Sequence, residues 1–141
     1  MTGRLSFLAA ALWWGSLTTV GLLVVPMLFA HLPTPAMAGT LAAKLFAAQT
    51  WVSVVCCMGL LLISRPKMAV TPYPWARAAM LFIVGGLLLA LVVQYGVSPR
   101  IVARQDLKFW HGLGTLLYTL QWACALVNLW HTLRKSQPPQ D

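Results

Sequence analysis

The sequence predicts an all-α integral membrane protein, four transmembrane helices in an up-down-up-down bundle with both termini in the cytoplasm. Three observations predict it. Between Arg4 and Arg134 lie four runs without a formal charge, residues 5–43, 45–64, 78–99 and 109–133. Each holds the roughly 20 mostly apolar residues that a membrane-crossing helix needs. The chain is 60% hydrophobic and 9% charged, where a soluble domain carries about a quarter of its residues charged. The basic clusters between the runs are uneven. Arg4, Arg65, Lys67, Arg77, Arg134 and Lys135 fall on one side, against Lys44, Arg100, Arg104 and Lys108 on the other, with Asp106 among them. Positive charge stays inside, so the larger group and both termini are expected to be cytoplasmic.

The first helix is expected over residues 5–30. Its amino end, with Arg4 and a small-residue Ala36-Met37-Ala38 stretch before Gly39, looks like an export signal. The intervening apolar stretch is about twice the usual length of such a signal, so it reads as a retained anchor. Pro26 removes a backbone donor and frees the carbonyl of Leu22, which predicts a bend near the end of the span. His31 to Pro35 make a short loop, and an amphipathic approach from Ala38 to Lys44 leads into the second helix, residues 41–63. A basic, proline-broken loop over 64–73 precedes the third helix, residues 75–95. Residues 97–108 are the most polar internal segment, and the fourth helix fills 109–133. One transmembrane domain thus occupies residues 1–135, followed by a short disordered tail, 136–141, with Pro138 and Pro139.

Ten Lys and Arg against two Asp and no Glu give a formal charge of +8. The charges are spread through every loop without the basic groove and interleaved aromatics of a nucleic-acid site, so the partners they suit are membrane lipids. Cys56, Cys57 and Cys124 all fall inside apolar runs and read as buried thiols. With only Asp106 and Asp141 as acids, the chain has no carboxylate pair for acid–base work and no acidic ligand set for Mg²⁺. Hydrolysis or phosphoryl transfer is not expected, and an enzymatic role is disfavoured.

Polar residues within the spans recur at helical spacing. The fourth helix carries Gly114, Tyr118, Gln121, Ala125, Asn128 and Thr132, with His111, Thr115, Tyr118 and Trp122 beside them. The second carries Gln49 or Thr50, Ser53, and Cys56 or Cys57; the first carries Gly15, Ser16, Thr18 and Thr19; the third carries Gly85 and Gly86. The leading reading of such faces is helix-to-helix packing and hydrogen bonding. His111 and His31 fall at the same membrane face. They are candidate ligands for haem b or copper, with Met27 or Met37 as soft partners, since imidazole suits both metals. Arg100 and Arg104, one helical turn apart, with Lys44 and His111 form a candidate anion or substrate surface for a lipid phosphate or a carboxylate. Trp13, Trp14, Trp51, Trp75, Trp110 and Trp130 are expected as interfacial belt residues.

The order Trp14-Gly15-Ser16, Pro26-Met27-Leu28-Phe29, Ala38-Gly39 followed by Leu45-Phe46, Pro99-Arg100 and Trp110-His111-Gly112 resembles the transmembrane protein 205-like family, whose bacterial members form a domain of unknown function. The resemblance covers about residues 10–130. The chain departs from the eukaryotic pattern at Ala47, Ser98 and Gly114, where a proline, an acidic residue and a serine are usual. The resemblance implies a multi-pass protein of the cell inner membrane and motif positions Gly15, Pro26, Phe29, Phe46, Pro99, Arg100, His111 and Gly112. It also implies a distant likeness to the copper resistance protein D group and the four-helix protoporphyrinogen oxidase group, where histidines near helix ends are associated with metal or haem. The eukaryotic relative is linked to platinum-drug resistance and secretory trafficking. The function expected first is structural or accessory, acting with a membrane-protein partner or as a homo-oligomer. The alternatives are haem or copper binding through His111, and oligomeric transport of a small molecule or lipid.

Overall fold

The computed structural model describes residues 2–70 and 74–135. Six α-helices build four spans. The first span joins α1 (Thr2–Thr18), a π turn (Thr19–Val24) and α2 (Val25–His31). The second is α3 (Pro35–Val70). The third joins α4 (Pro74–Leu91), a second π turn (Val92–Val97) and α5 (Ser98–Val102), and the fourth is α6 (Leu107–Lys135). The apolar portions, Gly3–His31, Pro35–Ser64, Ala78–Val102 and Leu107–Arg134, contain 29, 30, 25 and 28 residues. At about 1.5 Å per residue each exceeds the roughly 30 Å hydrocarbon layer of a bilayer.

Both π turns answer a proline. In an α-helix the ring of Pro26 would press on the carbonyl of Leu22, and Pro99 on that of Tyr95. One extra residue per turn relieves this: Val25 donates to the Val20 carbonyl and Ser98 to the Val93 carbonyl, both five residues back. Each proline lies two residues beyond its π turn. The expected interruption at Pro26 is thus absorbed as a change of helical register, and α2 continues to His31. The same device in the third span was not anticipated and carries that helix to Val102, past the expected end at residue 95.

The second helix starts six residues earlier than expected. Thr34 caps it, its hydroxyl accepting the Met37 N–H at 3.3 Å and its carbonyl the Ala38 N–H at 3.2 Å. Pro35 occupies the first helical position, where a missing N–H costs nothing. At its other end α3 passes through Pro66 to Val70, into the expected loop 64–73. A proline there frees only the carbonyl of Leu62, close to the membrane surface where water can reach it. Residues 71–73 of that loop and the expected tail 136–141 lie outside the described residues.

The four spans form a ring in which each packs on the next and the fourth returns to the first. Ala10, Trp13 and Leu17 of α1, Cys56, Cys57 and Leu60 of α3, Ile83 of α4 and Ala125 of α6 make its core. Trp13 crosses the ring and lies against Gly86 of the third span, where an added Cβ would come within 2.6 Å of the indole. Outward faces carry Leu12, Leu22, Val55, Leu81, Leu88 and Leu116, all exposed, while Gln49, Thr50, Ser53, Gln121 and Asn128 are buried. Apolar out and polar in is the arrangement that hydrocarbon demands.

Candidate functional site

Two regions concentrate the polar chemistry: a seam between the spans, and the end of the bundle carrying Pro26 and Pro99. Along the seam the hydrogen bonds run between spans. Gln49 Nε2 donates to Ser16 Oγ at 2.9 Å, joining α3 to α1. Gln121 Nε2 donates to Ser53 Oγ at 3.0 Å, joining α6 to α3. Trp122 Nε1 donates to Thr18 Oγ1 at 2.8 Å and the Tyr118 hydroxyl to the Leu17 carbonyl at 2.8 Å, joining α6 to α1. Ser16 and Thr18 each donate in turn to a carbonyl of their own helix, Trp13 and Trp14 respectively. Trp13 Nε1, Trp14 Nε1, Gln94 Oε1 and Asn128 Nδ2 are buried without a hydrogen-bond partner.

Tyr118 locks the seam to the proline end. Its ring meets Phe46 edge-on at 5.2 Å. It also lies so close to Gly21, inside the first π turn, that a Cβ there would come within 2.6 Å of the ring. Of the family-motif positions, Phe46 is therefore a packing residue, and Gly21, not singled out from sequence, is the glycine that lets Tyr118 approach. Gly15 and Gly112 behave differently, since a Cβ at either meets nothing within 4 Å. Phe29 is exposed.

At the proline end Arg100, His111 and His31 each have a partner of their own. The Arg100 guanidinium donates to the Gly96 carbonyl in the second π turn and lies 4.6 Å from the centre of the Trp110 ring. This is a cation–π contact placed at a membrane interface. His111 Nδ1 is bonded to the Leu107 carbonyl at 2.8 Å and His31 Nδ1 to the Met27 carbonyl at 3.0 Å. A carbonyl only accepts, so Nδ1 carries the proton in both rings and the Nε2 lone pair is the one left for a ligand. Both histidines are exposed, as are Lys44 and Arg104. Arg104 and Asp106 turn the chain between α5 and α6 with φ of 54° and 26°. Asp106 then caps α6, its Oδ1 accepting the Phe109 N–H at 3.4 Å and its carbonyl the Trp110 N–H at 3.1 Å. Among the described residues no group of three or more His, Cys, Asp or Glu is placed to hold a metal ion. A shallow open groove on the outer face of α6 is lined by Asp106, Lys108, Phe109, Gly112, Leu113 and Leu116.

The expected aromatic belt divides. Trp130 is exposed near the end of its span, with Arg134 5.3 Å from its ring, as an interfacial residue should be, whereas Trp51 is exposed at the middle of the second span, where it faces outward away from either interface. Trp13 is instead fully buried, and Trp14 packs on Trp122 at 5.9 Å. Trp13 is a core residue, because the α1 stripe Ala10, Trp13 and Leu17 points into the ring, and Trp14 is half-buried against that core. The Trp75 side chain lies outside what the structure describes.

Four spans with apolar faces outward and hydrogen-bonded polar groups between them define a small multi-pass membrane protein. Within that class the chain belongs to the family described as a domain of unknown function, DUF4149, whose model matches residues 8–109. The match takes in Gly15, Pro26, Phe29, Phe46, Pro99 and Arg100 and stops just short of His111 and Gly112. No curated protein and no solved structure matched the chain.

Proposed function

We propose that this chain is a structural or accessory protein of the bacterial inner membrane, both termini cytoplasmic, without catalytic activity of its own. It works through membrane lipids and through a membrane-protein partner or a second copy of itself. The observation that carries the reading is the way the interior is used. Trp13 fills the centre of the ring against Gly86, and the buried amides of Gln49 and Gln121 are spent on Ser16 and Ser53 of neighbouring spans. Groups committed to holding helices together are not free to bind and release a substrate. The six basic residues on the terminal side against four on the other support the orientation, and the order of motifs supports kinship with the transmembrane protein 205-like proteins. In liposomes the protein is expected to move labelled lipid and metal ions no faster than empty vesicles do. Flux that depends on Arg100 or Arg104 would replace this reading with the transporter.

A second reading has one observation in its favour. His111 and His31 both hold Nδ1 against a carbonyl, which fixes Nε2 as the ligating atom in each ring. On that reading haem b or copper binds near one per chain and is lost in His111→Ala, with His31→Ala weakening it.

A further inference from the structure

The bundle does not explain Gly112. A Cβ there would touch nothing, so helix packing makes no demand for a glycine at this motif position. The missing side chain forms the floor of the open groove on α6, with Phe109, Leu113 and Leu116 as apolar walls and Asp106 and Lys108 at the rim. These residues follow at three- and four-residue spacing, so the groove runs along the helix for about two turns, roughly 10 Å. Its charged rim lies at the first turn of α6, where the polar connection from α5 arrives, and its floor descends toward the middle of the span. The face is thus apolar along its length and charged at its end, the order of groups that a lipid presents from acyl chain to headgroup.

Charge selects the headgroup. The Asp106 carboxylate is turned to the Phe109 N–H as a helix cap. Lys108 lies at the groove itself, Arg100 and Arg104 on α5 and the turn before α6 bring the stretch from 100 to 108 to three basic residues against this single acid, and the amino end of α6 adds partial positive charge. We propose that the groove holds an anionic glycerophospholipid, one acyl chain lying along Gly112 to Leu116 and its headgroup phosphate at Lys108. The inference rests on the chain spanning a membrane and not on the accessory role, so transport activity or a bound cofactor would overturn the one and leave the other standing.

The full-length protein, stripped of lipid in a neutral detergent, is titrated with phosphatidylglycerol or phosphatidylcholine while its unfolding midpoint is followed. Phosphatidylglycerol is expected to raise the midpoint in a saturable way and phosphatidylcholine to leave it unchanged. Lys108→Gln should weaken the response about fivefold, the effect of one basic residue at an anionic surface. Gly112→Phe fills the floor where there is room for it. It should keep the lipid-free midpoint of the parent and abolish the rise. Equal responses to both lipids, or a full response in Gly112→Phe, would overturn the proposal. So would a dimer that Gly112→Phe converts to a monomer, which would give the face to a second copy.

Discussion

The contact between Trp13 and Gly86, like that between Tyr118 and Gly21, is close enough to be sensitive to a single atom. A methyl group at Gly86 would stand 2.6 Å from the indole, and neither helix can retreat without opening the ring. Gly86→Ala is expected to lower the unfolding midpoint in detergent, and Trp13→Ala to cost about 3–5 kcal/mol through the cavity it leaves. The two should not add: with the indole gone, Gly86→Ala becomes nearly neutral. Additive losses would mean that the rings do not meet as described. The Gln121–Ser53 bond belongs to a weaker class. Hydrogen bonds between membrane helices contribute about 0.6 kcal/mol on average, with a maximum near 1.7. A double-mutant cycle of Gln121→Leu and Ser53→Ala should give a coupling in that range, and a coupling of zero would break the link between α3 and α6. The sequence shows the polar stripe bearing Gln121 but not the role of Trp13, because two adjacent tryptophans near a chain end look like an interfacial pair. The signal lies in Ala10, Trp13 and Leu17 at three- and four-residue spacing, read together with a glycine two spans away.

Elements are governed by where proline falls. Thr34-Pro35 starts α3 because a threonine cap followed by proline is a favourable helix opening; read only as a loop dipeptide, it hides the first turns of the second span. Pro26 and Pro99 each sit two residues after a π turn, so the helices go on where a break is the usual expectation. Restoring the donor tests this account. In Pro99→Ala the new N–H permits ordinary α register, and loss of the extra residue would rotate α5 by about 100° and shift it about 1.5 Å. Spin labels at Val102 and Leu120, in a background with the three cysteines replaced, should then report a changed distance distribution. An unchanged distribution would show that the π turn is held by something other than the proline. Sequence spacing gives the number of helices but not these turns, since a π turn adds one residue without altering hydropathy.

The molecule as a whole is more legible than its parts. Four uncharged runs of twenty or more residues leave little choice of span number, and a chain with ten basic residues and two acidic ones has few acids for catalysis. Which polar residues hold the bundle and which face outward depends on helix rotation, which weakly amphipathic spans do not encode strongly. Hence Gln49, Ser53 and Gln121 were recognisable as a group while the exposure of His31, Phe29 and Gly112 was not. Reporter fusions at the two ends should both read as cytoplasmic; opposite readings would require an odd number of crossings and contradict the bundle. The reading of this chain as an accessory membrane protein is tested most directly by its visible absorption, recorded oxidised and after dithionite, with metal analysis on the same purified sample. A colourless, metal-free protein, even after expression with added haem and copper, is the expected result. A Soret band that shifts on reduction, or copper near one per chain, would contradict it and make His111 and His31 the centre of a different protein.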